Sequence, residues 1–400
     1  MTKTNILQVI APKAVESLHI YRQVAATFAA SLLSITCGIT FGFTAVLLPQ
    51  LESDPDFPYD KNLDSWIASI SPLAMIMGCL FSGSMSDAIG RRMGQIVLII
   101  PFIFGWVMMG LATDNVILLI GRFFTGVCTG AVRANTMVYI SEVSDPKFRA
   151  IVLFSPSVAL HVGSLISHTV GKYVNWKLSC FIFTIPNMIC LVILIFLKES
   201  PLWLLSKGKI DEGIESFRQF RGNGESSEKE LASILDKIKE NEDRTSSIKN
   251  NLNIIFSLPF MKSVAVIFLL FIAVQWCGIN TLSFYSQEIF EKTFGGTIDA
   301  FMLTLVSDCI RVLAGAVVCG IAKYIPRKIT FVSCCFTTTL VLIALIVYLY
   351  LKPVGLVWLA ITIMVMYISI ASALTCISWS FVAEIFPAKV RGFGSGLGSA

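Results

Sequence analysis

Charge is what this sequence has least of. Only 14% of its 400 residues are charged, where a soluble domain usually carries about 25%. Histidine is rarer still, at three residues. The eleven cysteines, among them Cys37, Cys128, Cys277 and Cys376, fall inside apolar runs and share no spacing suited to a metal centre or a disulfide framework. They read as small buried apolar residues, and no metal site is expected. The opening MTKTNILQVIAPKAVESLHIYRQ holds no short apolar stretch ending in small residues, so no removable signal peptide is expected. Nothing resembles a nucleotide-binding loop either: the alternating Gly392, Gly394, Gly396 and Gly398 follow no strand. No cofactor and no enzymatic chemistry are therefore expected.

What is present is apolar length. Hydrophobic residues make up 55% of the chain and the mean hydropathy is +0.76. A helix needs about 20 apolar residues to cross the hydrocarbon. Ten such runs occur, near 25–50, 64–84, 94–113, 116–140, 151–172, 178–197, 259–285, 299–322, 329–351 and 355–383. The expected fold class is an all-α polytopic membrane protein. A net charge of +5 is no sign of nucleic acid, because the basic residues sit between the runs. Lys3, Lys13, Arg22, Arg91, Arg92, Lys147 and Arg149 alternate with loops that carry Glu52, Asp54, Asp56, Asp60 and Asp64 or little charge. By the positive-inside rule the N-terminus is cytoplasmic.

The same charge pattern divides the chain. Residues 1–24 form a cytoplasmic N-terminus and 25–197 a first transmembrane half of six helices. Residues 198–253 form a charged helical linker, with Glu212 and Glu215 near Arg218. Residues 254–400 form a second half of four helices plus GFGSGLGSA, which looks like the opening of a fifth; an incomplete chain is one reading of this. YISEVSDPKFRA and FVAEIFPAKVRG place a base seven residues past an acid, Glu142 to Arg149 and Glu384 to Arg391. That match of the fourth run to the tenth implies an internal duplication, a device of many transporters.

Some polar groups sit where hydrocarbon should be. The stretch AVQWCGINTLSFY puts Gln275 and Asn280 on a lipid-buried helix, where an unpaired amide costs roughly 4–8 kcal/mol. They should face a partner or a cavity. Arg133, Asp308, Arg311, His161 and His168 also lie within apolar runs, and such groups mark function by default. Asp308 and Arg311 are one turn apart and can pair. The two histidines could relay protons or serve as ordinary helix contacts.

GSMSDAIGRR, GRFFTG with YISE and Arg149, ESPLWLLSKGK with Arg221 and Gly222, QWCGIN and AEIFPAKVRG occur in that order. Together they resemble the sugar porter family of the major facilitator superfamily, and within it the arthropod facilitated trehalose transporters. The resemblance implies a major facilitator fold, two six-helix-type halves with the second incomplete here, and facilitated transport of a sugar, hexose or trehalose, by alternating access in the plasma membrane. It implies a gate built from Asp87, Arg91, Arg92, Arg122, Glu142, Arg149, Glu199, Glu384 and Arg391, with Glu199 and Trp203 tying the sixth span to the linker. It implies sugar contacts from Gln275, Asn280, Tyr285 and Trp379. Val274 stands where the family has a first amide, and Arg311 where it has a later one; Arg311 either meets substrate or is neutralised by Asp308 and narrows the pocket. Proton-coupled relatives carry an acid near the first span, and ATFAASLLSITCGITFGFTAVLLPQ has none, so uniport is expected. The partners expected are a small sugar and the bilayer. Two other readings stay open: an organic-anion carrier of the same fold, and a non-transporting sensor.

Overall fold

The computed structural model describes residues 3–244, 258–294, 299–321, 324–351 and 356–385. Its helices are α1 (Lys3–Ser53), α2 (Asp64–Ile89), α3 (Arg91–Gly110), α4 (Asn115–Val143), α5 (Arg149–Tyr173), α6 (Trp176–Ile182) and α7 (Ile185–Phe196). Three short helices follow, α8 (Pro201–Ser206), α9 (Ile210–Arg221) and α10 (Glu225–Arg244). The remainder comprises α11 (Leu258–Trp276), α12 (Ile279–Phe284), α13 (Ser286–Phe294), α14 (Ala300–Ile321), α15 (Arg327–Leu351) and α16 (Val357–Ile385). Among the described residues nine helical stretches are long and apolar enough to cross a membrane, and Met261–Trp276 is a shorter apolar tenth.

Three boundaries differ from the sequence reading. Helix α1 does not start near residue 25 but runs unbroken for 51 residues from Lys3. The run at 178–197 is two helices, α6 and α7, parted at Phe183 and Thr184 ahead of Pro186, whose missing N–H suits a helix start. The run at 259–285 is also two, because Gly278 sits at φ +79°, a left-handed conformation that costs glycine little.

Helix α1 packs along α5, and α2 along α4. At the first crossing a β-carbon on Gly163 would overlap the Ile35 carbonyl, so the two backbones touch directly, as small residues allow in membranes. One apolar cluster joins α1 to α7 through Phe43, Trp106, Trp176 and Phe183. Edge-on ring pairs hold its centre, Phe43 to Trp106 at 5.3 Å and Trp106 to Phe183 at 5.2 Å. A second cluster gathers Ile279, Leu282, Phe290, Val341, Met364 and Ile368 from later helices.

The outside of the bundle is apolar as well: Ile100 is 62% exposed, Leu313 65% and Ile346 65%. An apolar belt of this extent is stable in lipid rather than in water. The protein is a multi-pass membrane protein. Helices α8 to α10 fold about Leu205, Phe217 and Leu231 and lie against α1 and α4. Ser200 caps α8 by accepting from the Trp203 N–H, with Pro201 in the first turn.

Candidate functional site: a central cavity and a capped helix end

Helices from both clusters enclose a cavity of about 290 Å³. Its wall includes Arg133 of α4, His161 of α5, Gln275, Asn280 and Ser283 at the α11–α12 break, Arg311 of α14, and Trp379 of α16. The break explains the amides. After Trp276 the chain turns through Gly278, the Gly278 N–H still reaching the Gln275 carbonyl at 3.1 Å. The freed Cys277 carbonyl accepts from the Tyr367 hydroxyl. Asn280 then lies beside Gln275 and donates from Nδ2 to its Oε1 at 2.6 Å. That bond leaves the Gln275 amino group and the Asn280 carbonyl oxygen without a partner in the pair, and both residues line the cavity. Val274, also on the wall, is 1% exposed and packs on Leu270 and Leu374.

Arg311 pairs with Asp308. Its Nη1 lies 3.5 Å from Asp308 Oδ1 and also donates to the Ser283 hydroxyl. Asp308 is shared, however: the same carboxylate takes His168 Nδ1 and, at 3.4 Å, the Ser164 hydroxyl. A buried acid is thus answered by a guanidinium, an imidazole and a hydroxyl from α5 and α14, the multiple partnering that buried charge requires. His161 points elsewhere, 3.9 Å from Cys376 Sγ. Trp379 carries the Arg133 guanidinium 3.7 Å over its ring and the Phe271 ring edge-on at 5.0 Å. Tyr285 is not on the cavity wall; it closes α12, its N–H bonded to the Thr281 carbonyl.

The second locus is the end of the bundle where α2 turns into α3. Arg91 joins Asp87 at 2.7 Å and Glu142 at 3.3 Å, and the Ser200 hydroxyl donates to Glu142. Glu199 accepts from the N–H groups of Arg91 and Arg92, each at 2.8 Å, and of Met93 at 3.1 Å. Its carboxylate thereby satisfies the open N-terminus of α3, where negative charge is favoured. Arg92 reaches the Leu194 and Ile195 carbonyls at the end of α7, and Trp203 Nε1 donates to the Asp87 carbonyl at 3.0 Å. These contacts tie the end of α7, the turn between α2 and α3, and α8 to one another.

Two expected members of the gate, Arg149 and Arg122, lie away from Glu142. Arg149 does not take Glu142; it donates to the Ser144 carbonyl at 3.4 Å, since Arg91 already fills the acid. Arg122 lies toward the other end of α4, 1% exposed, donating to the Thr44 hydroxyl at 2.7 Å. Arg391 and the Glu384 side chain lie outside the described residues. Two residues missed in the sequence belong to the locus. Asn135 bridges the Ser86 hydroxyl to the Arg91 carbonyl, and its sign was a polar side chain deep in an apolar run. Ser200 was signalled by the serine–proline pair that opens α8.

A bundle of spanning helices around a cavity that bears polar side chains is the arrangement of a membrane transporter. The chain belongs to the sugar (and other) transporter family, whose model matches residues 26–400. It is 27% identical over 390 residues to the facilitated trehalose transporter Tret1 of Bombyx mori, covering 96% of this chain and 76% of that protein. The Tret1 of Apis mellifera ligustica is 27% identical over 385 residues, covering 94% and 76%. Among solved structures, the major facilitator proton:xylose symporter XylE bound to 6-bromo-6-deoxy-D-glucose aligns with a TM-score of 0.79 at 18% identity, over 96% of this chain and 86% of that one. The human organic anion transporter MFSD10 aligns at 0.60 and 16% identity, over 95% and 90%. These likenesses establish the major facilitator fold.

Proposed function

We propose that the chain carries a sugar, of hexose or trehalose class, down its gradient by alternating access of two halves, residues 25–197 and 254–400, joined by the 198–253 linker. The carrying observation is the amide pair Gln275 and Asn280, set side by side at a helix break on the cavity wall. An amide offers both donor and acceptor, which matches a hydroxyl, and broken helices hold substrate in many transporters. The cavity equals the share of about ten waters, room for one sugar ring with its hydroxyls. In this reading Trp379 and Arg311 also border the substrate, and the Asp87–Arg91–Glu142 cluster governs opening on the cytoplasmic side. Loop charge supports a cytoplasmic N-terminus, and the plasma membrane is the location this reading assigns.

Uptake by purified protein in liposomes tests this. With the membrane potential held at zero, labelled sugar should stop accumulating at equal concentrations, and a protonophore should leave the rate unchanged. Accumulation that the protonophore abolishes would refute uniport and direct attention to His161, His168 and Asp308. Intact uptake in Gln275→Ala would instead remove the amides from substrate binding.

A further inference from the structure

The cavity wall carries charge of one sign. Arg133 and Arg311 both reach it, and none of its lining residues is an aspartate or glutamate. Arg311 is compensated from behind by Asp308 and held by Ser283. Arg133 is different. Among the described residues it has no carboxylate within ion-pair distance and no hydrogen-bond partner, and its guanidinium rests on the face of Trp379. Arg133 is half-buried and lines the cavity; a cation there without a counter-charge is under-solvated, and an aromatic face offsets only part of that cost. A planar guanidinium is also the side chain best shaped to grip a carboxylate through two parallel hydrogen bonds.

We infer that the substrate is a sugar bearing one carboxylate, of the aldonate or uronate class, its anion meeting Arg133 and its hydroxyls meeting Gln275 and Asn280. This deepens the sugar-transport reading and rests on it. Arg133 belongs to the first apolar cluster's side of the cavity, and the amides to the second. One ligand therefore joins groups from both sides, and drawing Arg133 off Trp379 accompanies its binding. The bound state has one positive and one negative charge beyond the Asp308–Arg311 pair, so the loaded cavity is neutral. Carriage of the free acid anion without a co-ion moves one charge per cycle.

The test is competition and flux in liposomes holding the whole protein. Labelled glucose uptake is challenged with unlabelled glucose, glucuronate, gluconate and, as an acid without hydroxyls, hexanoate. A charge-assisted contact should make a sugar acid compete about tenfold or more better than glucose, with hexanoate far weaker. Labelled glucuronate should accumulate with an inside-positive potassium diffusion potential, approaching roughly fiftyfold per 100 mV. Arg133→Gln should collapse the ratio of acid to neutral sugar, and Arg133→Lys should restore part of it. Glucose outcompeting both sugar acids in the unaltered protein, hexanoate matching them, or a ratio unmoved in Arg133→Gln would each overturn the inference while glucose uptake keeps the sugar-transport reading intact. If neither glucose nor the acids are carried, both readings fall together. The wild-type competition and potential measurements decide the matter even if an Arg133 variant fails to fold.

Discussion

Val274 and Gln275 are neighbours in the chain with opposite offers to a hydroxyl, and both stand on the cavity wall. A hydrogen bond left unmade to a buried group costs about 1–3 kcal/mol, roughly one to two powers of ten in affinity. Gln275→Ala should therefore lower sugar uptake at least about tenfold, and Val274→Gln should raise hexose uptake if the longer side chain reaches the cavity past Leu270 and Leu374. Initial rates normalised to protein in the membrane check both. Asp308 is a sharper case. Removing one member of a buried pair typically costs about 3–5 kcal/mol, so Asp308→Asn should depress the melting temperature in detergent, and adding Arg311→Gln should recover part of the loss. A double variant no more stable than Asp308→Asn would count against coupling between the two. The Asp308–Arg311 pairing was legible because it is local, one turn along a helix. The His168 contact joins residues 140 apart in sequence, and only the packing of α5 on α14 brings them together.

Helix breaks were the least legible elements, for a physical reason. Hydropathy sums apolar length, and 259–285 stays apolar across the break; the interruption resides in the backbone of Gly278, at φ +79°. A β-carbon there costs about 1–2 kcal/mol, and Tyr367→Phe would orphan the Cys277 carbonyl. Gly278→Ala should thus slow transport and lower thermal stability together, because the break sets the angle at which Asn280 meets Gln275. Unchanged kinetics and stability in that variant would mean that the break can be supplied by other residues. The spans themselves were legible from length and composition, nine long apolar helices and the shorter Met261–Trp276 among the described residues. The backward extension of α1 to Lys3 was not, since 1–24 lacks a span's apolarity.

At the scale of the molecule, the proposed opening and closing would act on the cluster around Arg91. Glu142→Gln removes the acid that Arg91 and Ser200 share, and should slow exchange severalfold while the cavity still binds sugar; binding lost in step with flux would place the residue's effect on folding instead. Orientation is tested by a cysteine at Asp56, which an impermeant thiol reagent should label in intact cells, and labelling only after permeabilisation would invert the topology. Much of this locus was legible because its motifs are local and ordered. The partner exchange was not: spacing suggested Glu142 with Arg149, while the fold gives Glu142 to Arg91, 51 residues away.

The position of Glu199 also decides where this polypeptide can be divided. Hydropathy would place the end of the first membrane unit near Leu197, yet three N–H groups of α3 take their acceptor from two residues beyond it. A gene split after codon 197 would yield a fragment with those donors bare and Glu142 deprived of Ser200. One split after codon 224 would keep both, along with α9. Co-expressed with their complements, the second partition should reassemble into a recoverable complex and the first should be degraded. Equal recovery from both would show that α3 can dispense with its cap.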